Sequence, residues 1–182
     1  DYLRSLEMEI TIAPFDTFHL PRVAQLIQRS NQFNLTTRRL GLAECEALMK
    51  AGNDTIPLYV RLSDRFGDYG LISVAVMEID GTTARLPVWL MSCRVLARGV
   101  EEHVMNHVVA LAKSRGVTKL VGTYIPSAKN GMVKGFYARF GFTLAAESKD
   151  GSMEWVLDPN AYVPRKTLIQ EIESTPSNEK TS

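Results

Sequence analysis

Val88-Trp89-Leu90-Met91-Ser92-Cys93-Arg94-Val95-Leu96-Ala97-Arg98-Gly99-Val100, continued by an amphipathic run to Ser114, is the stretch around which the chain is organised. An apolar strand ends in a short basic turn, and a helix follows at once. The first turn of a helix leaves backbone N–H groups without partners and carries the positive end of the helix dipole. With Arg98 beside Gly99 at that start, the sequence predicts a seat for phosphate or another anion. An ordinary strand-to-helix connection has the same pattern.

Working outward, Val100, Val104, Val108 and Leu111 give the helix one apolar face, and Gly116 ends it. Lys119 to Ile125 reads as a short buried strand. Val133, Phe136, Tyr137 and Phe140 recur at helical spacing up to Gly141, and Phe142–Ala146 with Met153–Leu157 form a closing hairpin across Lys149-Asp150-Gly151. Upstream of Val88, three consecutive antiparallel strands are indicated. They run over Ile56–Leu62, Leu71–Ile79 and Thr83–Cys93, with Asp64–Asp68 and Asp80-Gly81 as turns. Pro87 cannot donate to a ladder and marks an edge or a bulge. Before them come a strand over Met8–Ala13, a helix capped by Asp16 or Thr17 with Leu20, Val23, Leu26 and Ile27 on one face, and a helix carrying Leu42, Cys45, Leu48 and Met49. The fold class is α/β (α+β): a central mixed, mostly antiparallel sheet flanked by helices.

The 182 residues make one domain with appendages: a helical linker over 1–7, the domain over 8–158, and an extension over 159–182 whose end, from Ser174, is expected to be disordered. The opening Asp1-Tyr2-Leu3-Arg4-Ser5-Leu6 reads as the tail of a helix continuing from an upstream domain. Twenty-one basic and 20 acidic side chains give a net charge of +1. The sequence shows no clustered basic excess, so nucleic acid is not an expected partner. No apolar run approaches the roughly 20 residues of a membrane span. Two cysteines fit a reducing, cytoplasmic setting better than a disulfide framework. The three histidines make no metal-ligand pattern with them, and no metal is expected.

The order strand, two helices, three antiparallel strands, helix, strand, helix, two strands, together with Phe136-Tyr137-Ala138-Arg139-Phe140-Gly141-Phe142, resembles the GNAT (acetyltransferase-like) fold. That resemblance implies a strand-to-helix turn cradling the coenzyme A pyrophosphate, and Tyr137 as general acid to the departing thiolate. Aligned on Arg98, the two glycine positions of the family's turn fall on Glu101 and His103. Glu101 brings a negative charge towards a pyrophosphate. The strand itself still suits a pantetheine arm, which pairs with strand backbone. A closer resemblance, to the C-terminal GNAT-like part of FkbH-like proteins, rests on several segments in the same order. They are Arg4-Ser5-Leu6, Ser30 to Arg39, Asp64 to Asp68, Met91 to Leu96, Arg98 to Glu101 and Ile125 to Asn130. It implies a HAD-type domain of the same parent protein as one partner. It implies an acyl carrier protein, presenting a glyceryl-type group on its phosphopantetheine thiol for polyketide extender-unit (methoxymalonyl-type) biosynthesis, as the other. The HAD signature Asp-x-Asp-x-Thr is absent from this chain.

The candidate residues follow. Cys93, at the end of a strand, is a nucleophile if its surroundings favour the thiolate, or else a small core hydrophobe. His103 is its possible base, or a surface histidine. Tyr137 is the general acid that the resemblance implies, or an aromatic of the apolar stripe. Asn31, Gln32, Asn34, Thr36 and Arg94 are candidate contacts to an acyl group, although amides and hydroxyls also serve as local turn-makers. Arg98, Gly99, Lys129 and Asn130 are candidate contacts to carrier-bound phosphopantetheine or coenzyme A. Two functions follow: an acyltransferase-like domain acting on or positioning the acyl group, or a non-catalytic module docking the carrier for the HAD-type domain.

Overall fold

The computed structural model describes residues 2–174; the expectation for the polar tail falls, beyond Ser174, outside them. The helices are α1 (Tyr2–Ser5), α2 (Leu20–Arg29), α3 (Leu42–Met49), α4 (Val100–Ser114) and α5 (Phe136–Arg139). The strands are β1 (Glu9–Pro14), β2 (Thr55–Asp64), β3 (Gly67–Asp80), β4 (Thr83–Met91), β5 (Lys119–Tyr124), β6 (Thr143–Glu147), β7 (Met153–Leu157) and β8 (Gln170–Glu171). They form one sheet in the order β6-β7-β5-β4-β3-β2-β1-β8. Pairing is antiparallel except between β4 and β5 and between β1 and β8. The expected element order is present, with strand ends displaced by one to several residues and the last helix shortened to a single turn preceded by a 3-10 turn, Gly131–Val133.

Two cores lie on the two faces of the sheet. Along β4 the side chains alternate: Trp89 and Met91 enter the core that packs α4 and α5, while Val88 and Leu90 enter the core that packs α2 and Cys45 of α3. Helices on both faces explain why Leu71–Met77 reads as a nearly continuous apolar run. The chain beyond Asp158, where the sequence carries no pattern, adds Tyr162 and Ile169 to the core and β8 to the sheet edge.

Pro87 positions the site. It lies in a central strand, and the β3–β4 register shifts opposite it, between Val76 and Glu78. On the other side β4 pairs with β5 only from Thr83 to Leu86. Pro87 offers no N–H to extend a ladder, and from there the two strands part.

Candidate functional site

The gap between β4 and β5 is filled by the chain itself. Residues 33–36, from the connection between α2 and α3, run antiparallel to the end of β4, with Asn34 opposite Leu90. The Leu35 N–H donates to the Trp89 carbonyl at 2.9 Å, and the Met91 N–H donates to the Phe33 carbonyl at 3.0 Å. The Thr36 hydroxyl donates to the Pro87 carbonyl at 2.7 Å. On the far side the Ile125 N–H donates to the Leu35 carbonyl at 2.8 Å. Asn130, fully buried, donates its amide to the Asn34 and Ile125 carbonyls, both at 2.9 Å, and accepts from the Ser127 N–H at 2.8 Å. Phe33 and Leu35 are buried as core side chains. The strand backbone that would suit a pantetheine arm is therefore already hydrogen-bonded. Asn34, Thr36 and Asn130 hold this segment in place and do not face an open site.

The helix start expected to seat an anion is also covered. Gly99, with φ +92°, packs against Thr167 and Ile169 of the C-terminal segment. Arg98 pairs at 3.1 Å with Asp64, whose side chain is fully buried. Glu101 is only 5% exposed, with Arg139 at 3.5 Å; Arg139 also binds Glu102 at 2.8 Å. Burial and the neighbouring Glu102 push the Glu101 carboxyl above the usual carboxylate range despite Arg139. A depression of about 310 Å³ remains beside the turn, where Glu101 and Glu102 offset Arg98 and Lys166. The stretch of β4 that would pair with the pantetheine arm of coenzyme A is taken up by residues 33–36.

Two catalytic candidates lie away from open space. Tyr137 is 0% exposed, and its hydroxyl has no hydrogen-bond partner among the described residues. Its ring lies 2.5 Å from the point a Cβ at Gly122 would occupy, so the glycine makes room for it. Burial pushes its phenol far above the ordinary tyrosine value. It is an aromatic of the core among Trp89, Phe136 and Phe142. His103 faces the C-terminal segment, with Nδ1 3.1 Å from Thr167 Oγ1 and Nε2 3.5 Å from Glu171. Burial lowers its pKa.

The remaining candidates converge. A cleft of about 910 Å³ is lined by one face of α2, the Ser30–Phe33 turn, Met91–Arg94 at the end of β4, and Ala128 and Lys129. Asn31, Gln32, Cys93, Arg94 and Lys129 all border it. Cys93 is exposed, and its thiol lies 3.5 Å from the Gln32 amide oxygen. Arg94 is held by the Tyr69 carbonyl at 3.0 Å and by Ser92 Oγ at 3.2 Å. Arg39 fixes the turn by donating to the Ile27 and Ser30 carbonyls and to the Asn31 side-chain oxygen. Arg22 and Arg29 complete the lining. The sequence reading missed both. They stand seven apart, two turns of one helix, and so share a face, which was the signal available. Among the described residues no Asp, Glu or His lines the cleft. Among the described residues no cluster of three or more metal-ligating side chains occurs, and no helix is long and apolar enough to cross a membrane.

No protein-family model matches the chain, and no curated protein sequence does. Solved structures are similar to it in fold. The ribosomal-protein-S18-alanine N-acetyltransferase from Escherichia coli superposes with a TM-score of 0.61 at 17% identity, over 82% of this chain and 93% of that one. The GNAT domain of S. lividans PAT gives 0.60 at 18%, over 81% and 89%. An aminoglycoside acetyltransferase in complex with coenzyme A gives 0.60 at 18%, over 84% and 96%. The chain has the GNAT acetyltransferase fold, with a central sheet flanked by helices.

Proposed function

We propose that this domain handles an acyl group, glyceryl-type by resemblance, on the phosphopantetheine thiol of an acyl carrier protein in polyketide extender-unit biosynthesis, with Cys93 as the thiol that receives it. The observation that carries this reading is the cleft: an exposed thiol between polar side chains, on a fold whose relatives transfer acyl groups, beside a cofactor groove closed by the chain itself. A pantetheine-type thiol, carrier-borne or free, has this cleft as its open approach. The Cys93 thiolate attacks the thioester carbonyl carbon. A carbon–sulfur bond to Cys93 forms, the bond to pantetheine sulfur breaks, and the leaving sulfur takes up the proton that Cys93 gave to solvent. Asn31 and Gln32 offer amide groups to the acyl hydroxyls.

The test is intact-protein mass spectrometry after mixing the domain with glyceryl-loaded carrier. The expected result is a glyceryl adduct on wild type and none on Cys93→Ser. A second reading, a docking module serving a HAD-type catalytic domain, is favoured by the lack, among the described residues, of any carboxylate or histidine in the cleft to act as base. Carrier binding without transfer of acyl mass selects it.

A further inference from the structure

Arg61, Arg85, Arg98, Arg115, Arg139 and Lys50 each meet a carboxylate within 3.1 Å. Most of the other described basic side chains form no ion pair; what sets Arg22, Arg29, Arg94 and Lys129 apart is that these four gather in one cleft. Their fixed contacts are to neutral acceptors: Arg22 to Gln25 Oε1 at 2.9 Å, Arg94 to the Tyr69 carbonyl at 3.0 Å. Such bonds orient a guanidinium without neutralising it. Burial, with repulsion from Arg94 and Arg29, lowers the pKa of Arg22, as expected of like charges facing one another across a shared space. A net charge of +1 conceals this, because the four come from positions 22, 29, 94 and 129 and only the fold brings them together. Holding cations together without a counter-charge is unfavourable, and a ligand anion relieves it.

We propose that the cleft is a seat for a phosphate ester, bound by Arg22, Arg29, Arg94 and Lys129 with the Cys93 thiol beside it. Guanidinium groups suit phosphate oxygens by paired, charge-assisted hydrogen bonds. The seat thus stands away from the helix start at Gly99, where Thr167 and Ile169 pack against the glycine and Glu101 and Glu102 offset the charges of Arg98 and Lys166. The inference rests on the reading of this cleft as the entry for a pantetheine arm, and it names what holds the arm. A phosphodiester on a carrier and a free phosphomonoester share this chemistry.

The test is calorimetric titration of the full chain with pantetheine, 4′-phosphopantetheine, inorganic phosphate and phosphopantetheinylated carrier, at low and high salt. The expected result is binding of 4′-phosphopantetheine at least about tenfold tighter than pantetheine, weakening with salt as exposed charge interactions do. Arg29→Ala and Lys129→Ala, both at exposed positions, should each weaken it several-fold without loss of folding. Competition by inorganic phosphate supports a seat for the free monoester; binding of the carrier arm alone supports the diester. Equal affinity for pantetheine and 4′-phosphopantetheine, or wild-type affinity in the double variant, overturns the seat. Failure of acyl transfer to Cys93 with phosphate-dependent binding intact refutes only the transfer reading.

Discussion

Thr36 and Pro87 meet at the residue where β4 leaves β5: the threonine hydroxyl donates to the proline carbonyl at 2.7 Å. Proline ends the ladder with β5, and the segment carrying Thr36 takes up the strand backbone released beyond it. Thr36→Val keeps the shape and removes the donor, leaving a part-buried carbonyl unpaired. We expect a loss of about 1–3 kcal/mol in denaturant unfolding, or a few degrees in melting temperature. Unchanged stability would mean that the segment is not held by this bond.

Asn130 carries more of the same join. Its side chain bonds two carbonyls and one N–H from three different residues, and it is fully buried. Asn130→Ala orphans all three groups. Its cost should exceed that of Thr36→Val, on the order of 3 kcal/mol. Hydrogen exchange should show the Leu35 and Ile125 amides losing protection first. Even loss across the whole sheet would contradict a local role.

The two cysteines should separate by reactivity. Cys93 is exposed, whereas Cys45 is buried and its thiol is pushed up to about 11. A chromogenic disulfide reagent should titrate one thiol per native chain at pH 8 and two after unfolding. Cys93→Ser should abolish the native reaction. Rapid native reaction at Cys45 would contradict the packing of α3.

Much of the fold was legible because its signals are local. Strand alternation, the Asp80-Gly81 turn and the α2 and α4 stripes depend on neighbours in sequence. Five candidates, Asn31, Gln32, Cys93, Arg94 and Lys129, border one cleft, since they stand in connections at one end of the sheet. What was not legible depends on pairing across long separations. Phe33 and Leu35 alternate like a strand, yet nothing local says that they lie beside Leu90. Asn34, Thr36 and Asn130 read as ligand contacts because a buried amide that satisfies backbone and one that binds substrate are the same residue in sequence. Glu101 read as a charge facing a pyrophosphate, yet it is buried and meets Arg139, a residue 38 positions on in the chain.

Glu101 gives a pH-dependent consequence. Its folded pKa lies above the unfolded value. The folded state therefore holds a proton that the unfolded state releases, and stability falls as pH rises through the interval between the two values. Glu101→Gln fixes the neutral form. The variant should match wild type below the ordinary carboxylate range and be at least as stable at pH 7. Unfolding curves from pH 4 to 7 check this, and a variant less stable only at pH 7 would show that the ion pair with Arg139 dominates.

Residues 33–36 fill the groove between β4 and β5, which leaves the basic cleft as the route for ligands. Site-resolved amide exchange and chemical-shift mapping, with coenzyme A and with 4′-phosphopantetheine at millimolar concentration, test it most directly. The Leu35, Met91 and Ile125 amides should stay protected while shifts gather at Asn31, Gln32, Arg94 and Lys129. Ligand-induced loss of protection at Leu35 and Ile125, with shifts along Trp89–Met91, would contradict it.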